Sequence, residues 1–422
     1  MKRVWNLVIR LHVFFHYLPR FIGRPRRFLA LLGRLDLLLN KLQHNKFAPI
    51  GKGLRLDLYV PSYPGKAFFK ACDKFCVFDG GKSPCTGVLL SVTNACPYAC
   101  EHCYQRFDTG RDVDIALLTD TAKRLQAMGV CFFNIEGGEP FVRYERLKAL
   151  CAAIDCNTAE IWVNSTGHGM TAEKLRELRP TAVMFSLHSA DPETFNGFMG
   201  RPHAWKMLMT GIAHCKECGI PFAFNACLME EAFFNREFER VMALAKDLGA
   251  CLVQIIKPKP AGAWLAANTE SMFSERGVET AIAKVNLYNL ARSHRAYPPV
   301  SAQILEEAPD VFGCTAGGTD RFYINAKGDV QPCEFLNISF GNIAEEDFGE
   351  IYARMRKTFR HPGTCMLCEK AADHIHKLRA QYNLERLPLP PELSREVHEN
   401  WDKGARTALY EKTEKRIDRM RD

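Results

Sequence analysis

Acidic side chains are nearly missing from the start of this 422-residue chain. Residues 1–50 contain one, Asp36, against ten basic ones (Lys2, Arg3, Arg10, Arg20, Arg24, Arg26, Arg27, Arg34, Lys41 and Lys46). That segment carries +9 and the whole chain +8, so the other 372 residues sum to −1. A body so close to neutral lacks the basic face that nucleic-acid binding demands, and no nucleic-acid partner is expected. Also missing is an apolar run fit to span a bilayer at the N-terminus, where Arg10, His12 and His16 interrupt the first stretch. No cleavable signal peptide is recognisable. The seventeen cysteines therefore read as reduced thiols and metal ligands of a cytoplasmic protein, not as disulfides. A hydrophobic content of 47% is ample for the cores of two or three domains.

What the N-terminal segment does hold is a dense apolar set: Val4, Trp5, Leu7, Val8, Ile9, Leu11, Val13, Phe14, Phe15, Tyr17 and Leu18, then Phe28 to Leu42. Pro19, Gly23 and Pro25 divide it into two helical pieces. Residues 1–46 thus read as a basic amphipathic helical segment, suited to a membrane interface and able to make the protein peripheral there. The other reading has the apolar face packed on the body or on a twin subunit. Residues 47–86, with Pro49, Pro61, Pro64 and Pro84, read as an irregular connector. Its Cys72 and Cys76 fit one face of a short helix; the role of Cys85 stays open.

From 87 to 300 apolar strands alternate with helical runs, which predicts parallel βα units and an α/β partial barrel of six of them. Strands are expected at 87–93, 131–136, 160–164, 182–187, 222–228 and 251–256, with helices such as Thr119–Met128 and Glu173–Leu178 between them. After the first strand comes Cys96-Pro97-Tyr98-Ala99-Cys100-Glu101-His102-Cys103-Tyr104. Three thiols on one short loop converge on one inorganic centre. An iron–sulfur cubane takes four, so this loop leaves one iron open; a zinc knuckle with a distant fourth ligand is the plainer alternative. After the second strand comes Gly137-Gly138-Glu139-Pro140, where glycines permit close backbone approach and Glu139 offers a carboxylate. Cys215 and Cys218, at a helix end, read as packing.

Cys-x3-Cys-x2-Cys after one strand and Gly-Gly-Glu-Pro after the next resemble the radical S-adenosylmethionine (SAM) enzymes over about 87–300. The resemblance implies a [4Fe–4S] cluster on Cys96, Cys100 and Cys103 whose open iron chelates SAM. It places the methionine amino group at Gly137, Gly138, Glu139 and Pro140, and Tyr104 beside the adenine. By position, Asn164 and Ser186 approach the ribose and Arg201 the carboxylate; plain strand-end capping is the alternative for Asn164 and Ser186. A reductant such as flavodoxin or ferredoxin is the implied electron source.

Beyond Pro298-Pro299 lie Cys314, a predicted β-hairpin turning at Lys327-Gly328, Cys333, and Cys365-Met366-Leu367-Cys368. Cys314, Cys333, Cys365 and Cys368 could complete a cluster or bind zinc. Their spacing resembles the auxiliary-cluster (SPASM-type) module of the same enzymes. No cysteine follows Cys368, which matches its shortened, single-cluster twitch form. The expected organisation is 1–46 helical segment, 47–86 connector, 87–300 partial barrel, 301–375 auxiliary-cluster domain and 376–422 charged helical tail without chemistry. A fully ligated auxiliary [4Fe–4S] cluster has no open iron and would transfer electrons. His188 and Glu334 are the candidate acid–base groups. For the substrate, a lipid or small molecule together weigh slightly above a peptide, because residues 1–86 lack the strand alternation of a peptide-binding module. A non-enzymatic iron–sulfur scaffold is the remaining alternative.

Overall fold

The computed structural model describes residues 2–41, 46–56, 58–76, 85–267, 272–319 and 321–421. Its centre is a nine-stranded sheet whose strands lie in the order Val330–Gln331, Tyr323–Ile324, Gly87–Ser91, Phe132–Glu136, Glu160–Ser165, Ala182–Ser186, Phe222–Cys227, Val253–Ile256 and Val300–Ala302. β3 (Gly87–Ser91), β4 (Phe132–Glu136), β5 (Glu160–Ser165), β6 (Ala182–Ser186), β7 (Phe222–Cys227) and β8 (Val253–Ile256) are the six expected strands, all parallel and linked by helices. β9 (Val300–Ala302) extends this partial barrel beside β8. Gly87 to Ser91 are buried throughout, as a strand covered on both faces must be.

Alternation along each strand sorts the side chains into two layers. Phe133, Ile135, Val183 and Phe185 join the core beneath the surrounding helices. Phe132, Trp162, Ala182, Met184 and Ala223 point into the barrel, where Ala48, Ile50 and Leu58 meet them. Residues 47–86 are therefore no mere connector, since part of them closes the barrel's interior. A short hairpin, β1 (Ala48–Ile50) with β2 (Gly53–Arg55), begins this plug.

The expected hairpin at Lys327-Gly328 is present as β10 (Tyr323–Ile324) and β11 (Val330–Gln331), with Gly328 at φ +97°. It is not confined to a separate domain, because β10 pairs in parallel with β3 and continues the barrel sheet. The second cysteine set is thereby held against the first strand's end.

The N-terminal pieces form α1 (Lys2–Tyr17) and α2 (Pro25–Lys41). Ile9, Val13, Tyr17, Phe28, Leu31 and Leu35 pack on Leu56, Val60, Tyr63 and Phe68, so one apolar face does cover the body. Phe68 and Cys72 lie on α3 (Lys66–Cys76). Cys72 belongs to this N-terminal cluster and Cys85 to the barrel core, which separates two cysteines of the connector. The side chain of Cys76, like residues 42–45 and 77–84 of the two segments, lies outside the described residues. Cys215 and Cys218 end the helix Ala204–Cys218 as packing residues, Cys215 fully buried.

Candidate active site

The three-cysteine loop is held by its backbone. Arg106 donates to the carbonyls of Ala99 and Cys100, Arg201 to that of Pro97, and Phe198 accepts from the amide of Glu101. At its start, Asp112 accepts from the amide of Asn94 at 2.9 Å and from the hydroxyl of Thr93 at 2.6 Å. At its end, the turn Gly262–Trp264 presses on the loop. A Cβ on Gly262, which has φ +53°, would stand 2.4 Å from the carbonyl oxygen of Cys103. The thiols themselves carry none of this. Burial, with repulsion from the neighbouring thiols, pushes Cys96 and Cys100 up to about 12. Three adjacent thiols, Cys96 exposed and Cys100 and Cys103 half-buried, repel one another once ionised and are a donor set that a positive iron–sulfur centre would hold as thiolates.

Gly137 and Gly138 fit closely against the cysteine loop and also line the cavity beside it. A Cβ on Gly138 would lie 2.4 Å from the carbonyl oxygen of Ala95, and one on Gly137 2.6 Å from that of Thr93. The same two carbonyls accept from the amides of Glu139 and Gly138. The glycines thus lock the turn after β4 onto the cysteine loop. Glu139, fully buried, accepts from the Ser165 hydroxyl and from the amide and hydroxyl of Thr166. Its carboxylate clamps the ends of β4 and β5 together. Pro140 opens the short turn Pro140–Arg143 that follows.

A cavity of about 320 Å³ opens above the strand ends, and the three cysteines, Tyr104, Asn164, Ser186 and His188 all line it. Register brings Ser186, Asn225 and Gln254 onto one rung across β6, β7 and β8. Asn225 and Gln254 escaped the sequence reading; a lone polar residue in each apolar strand was their only signal. Buried polar atoms without hydrogen-bond partners gather at this cavity: Oδ1 of Asn164, Oδ1 of Asn225 and Nε2 of His188. His188 accepts the Cys227 amide on Nδ1, so its neutral ring carries the proton on Nε2 and offers a donor here. Burial, with His102 alongside, holds His188 well below its ordinary value, which favours hydrogen-bond donation over proton release. Arg201, whose guanidinium donates to the Pro97 carbonyl, lies 5.3 Å from the centre of the Tyr98 ring.

Tyr104 donates to Glu136 at 2.5 Å, and Asn164 donates to the other carboxyl oxygen at 3.0 Å. Complete burial raises Glu136 from its ordinary 4.5 to about 8. The folded chain keeps this proton where the unfolded chain has lost it, so stability falls as pH rises from about 4.5 to about 8. Glu136→Gln is expected to flatten that part of the curve, gaining on wild type as pH rises. Thermal melts of the anaerobic protein across this window measure the difference; parallel curves would contradict it.

The second set lines an adjoining cavity of about 210 Å³ through Cys314, Cys333 and Cys368. Cys365 sits just before the helix Leu367–Gln381, which starts inside the expected 301–375 domain and crosses its boundary. The tail after 376 is not free of a role at this site. Lys403 accepts the Cys365 amide through its carbonyl, and a Cβ on Gly404 would lie 2.9 Å from the Cys365 Sγ. Cys333 donates to Glu334 at 3.1 Å, with Arg321 3.6 Å from the same carboxylate, and Glu334 also lines the first cavity, so it stands between the two cysteine sets. Among the described residues no three His, Cys, Asp or Glu side chains surround one point as a single ion requires. A cubane asks instead for one thiolate on each of several irons.

The two cavities share Tyr59, Lys259, Gln303, Arg321 and Phe335 as walls. Buried Lys259, which sequence reasoning missed, bridges Glu307 at 2.6 Å and Glu369 at 2.8 Å beside Cys368. Tyr104, next to Cys103, meets Phe335 edge to face at 5.8 Å, and Phe335 lies two residues after Cys333. One aromatic contact thus joins the two cysteine sets.

Comparison with known proteins bears on both halves. Residues 90–245 match the model of the radical SAM superfamily, and residues 314–370 that of an iron–sulfur cluster-binding domain. The AdoMet-dependent heme synthase of Nitratidesulfovibrio vulgaris is 24% identical over 322 residues, covering 69% of this chain and 86% of its own. The PqqA peptide cyclase of Xanthomonas campestris pv. campestris is 25% identical over 313 residues, covering 68% and 80%. Among solved structures, Streptococcus suis SuiB bound to its precursor peptide SuiA shares the fold at a TM-score of 0.52. It is 14% identical, and the match covers 68% of this chain and 69% of SuiB.

Proposed function

From the premise that this chain is a radical SAM enzyme with an auxiliary iron–sulfur cluster domain, we propose that it oxidatively modifies a peptide. Cys96, Cys100 and Cys103 would hold a [4Fe–4S] cluster, which together with SAM would supply a 5′-deoxyadenosyl radical for hydrogen abstraction. The residues of the chain bind and orient. The Asn164, Ser186 and Asn225 side chains and the Nε2 proton of His188 offer polar contacts above the barrel. Cys314, Cys333, Cys365 and Cys368 would hold the auxiliary cluster.

The observation that carries the peptide reading is the continuity of the two cavities along Tyr59, Lys259, Gln303, Arg321 and Phe335. An extended chain lying in this cleft would pass both the first cysteine loop and the second set. An electron released on bond formation then has an acceptor site beside it. The peptide cyclase relative supports the same choice, moving the weight from the lipid and small-molecule options that together stood slightly above a peptide on sequence alone. A heme-class small molecule is the second reading, favoured by the heme synthase relatives.

The test incubates anaerobically reconstituted protein, SAM and dithionite with synthetic peptides encoded beside its own gene. The expected result is 5′-deoxyadenosine above the peptide-free rate and a peptide lighter by a pair of hydrogens for each equivalent. Stimulation by porphyrin precursors and by none of the peptides would replace this reading with the second.

A further inference from the structure

Helix α1 has two apolar stripes on opposite sides, and only one is used. Ile9, Val13 and Tyr17 face inward, where the Tyr17 hydroxyl reaches Asp73 at 3.0 Å and His12 meets the Tyr63 hydroxyl at 2.7 Å. On the other side Val8, Leu11, Phe15, Leu18 and Ile22 recur in steps of three and four, the spacing of one helical face continued through the following turn. Leu11 is 48% exposed, Phe15 63% and Ile22 78%. Among the described residues, eight of the fifteen exposed large apolar side chains fall between Trp5 and Leu29; the others are scattered over the body. Packing on the body accounts for the inner stripe and leaves the outer one without an occupant.

We propose that α1 lies flat on an anionic bilayer through this outer stripe, making the enzyme a peripheral membrane protein. Charge chooses the occupant. Arg20, Arg24 and Arg26 are exposed in and after the turn that ends α1, within a segment of net charge +9. A second copy seated on the stripe would bring two such segments together, whereas lipid phosphates neutralise them. Trp5, 39% exposed, adds an aromatic side chain of the kind that favours the headgroup boundary. Among the described residues no helix is long and apolar enough to cross a membrane, so the contact is interfacial.

Co-sedimentation of the full-length, cluster-loaded protein with vesicles tests this. Wild type is expected to pellet with phosphatidylcholine–phosphatidylglycerol vesicles, to stay in solution with phosphatidylcholine alone, and to be released as salt rises. Leu11→Gln/Phe15→Gln/Ile22→Gln should lose about tenfold or more in vesicle affinity. Its iron content and melting temperature should stay unchanged, since these side chains support no core. Arg24→Ala/Arg26→Ala should weaken binding while lowering its salt dependence. Wild type that stays in solution with anionic vesicles, or a triple variant that pellets like wild type, would overturn the proposal. A wild-type dimer that the triple variant converts to monomer, with no vesicle binding, would give the stripe to a second copy.

Discussion

Replacing Cys100 by alanine is expected to abolish 5′-deoxyadenosine formation and to halve the iron, from about eight atoms per chain to about four. The loop that carries Cys100 is fixed by the backbone bonds from Arg106 and Arg201 and by the contact of Gly262 with Cys103, to which the thiol adds only a 3.8 Å contact with the Met199 sulfur. Removing one Sγ therefore leaves the scaffold standing and takes away a ligand. Once both are stripped of their clusters, the variant and the wild type should melt alike. Cys365→Ala/Cys368→Ala should lose a similar share of iron but keep SAM cleavage, because the first loop and the Gly137–Glu139 turn are untouched. The two variants then separate the sites: one stops the radical from forming, the other strands it without its electron acceptor. Wild type holding about four irons would refute the second cluster, and SAM cleavage by Cys100→Ala would refute the ligand assignment.

Local signals told much of this in advance. Strands β3 to β8 were legible because helices cover them, which leaves uninterrupted apolar runs between turn residues. Cysteine spacing and the Gly-Gly-Glu-Pro turn are contiguous in sequence, so the first site was legible too. What escaped depends on partners far away. Nothing around Gly138 says that its backbone packs on the Ala95 carbonyl. Glu139 looked available for chemistry, and only the fold reveals Ser165 and Thr166 occupying both of its oxygens. Asn225 and Gln254 become a polar rung only once parallel register aligns them with Ser186. The tail read as a charged helix without chemistry because its charges mask the two residues, Lys403 and Gly404, whose backbone walls Cys365. In each case the deciding contact spans dozens of residues, a distance that periodicity does not sense.

The largest expected stability effect lies at the opposite end of the barrel, in a pair that no motif announced. The Arg55 side chain is fully buried and its guanidinium sits 4.5 Å from the ring centres of both Phe132 and Trp162. It donates to Glu160 and to the Leu58 carbonyl, while Glu160 also accepts the Ser62 amide at 2.7 Å. Arg55 belongs to the plug and Glu160 begins β5, so the pair ties the plug to the barrel floor. Glu160→Gln keeps the shape but leaves a buried cation without its counter-charge, a loss of about 3–5 kcal/mol. Thermal melts should fall by roughly 5–10 °C. Arg55→Met should cost a comparable amount by stranding Glu160. The two losses should not add. Arg55→Met/Glu160→Leu removes both charges and leaves an apolar floor against Phe132 and Trp162, so it should melt above either single variant. A double variant that melts at or below the sum of the single losses would mean that the pair acts through packing alone. Recovery would show that the barrel's plug is anchored by mutual charge compensation, a contact whose removal loosens the floor beneath the cavity while sparing every residue that lines the cysteine loop.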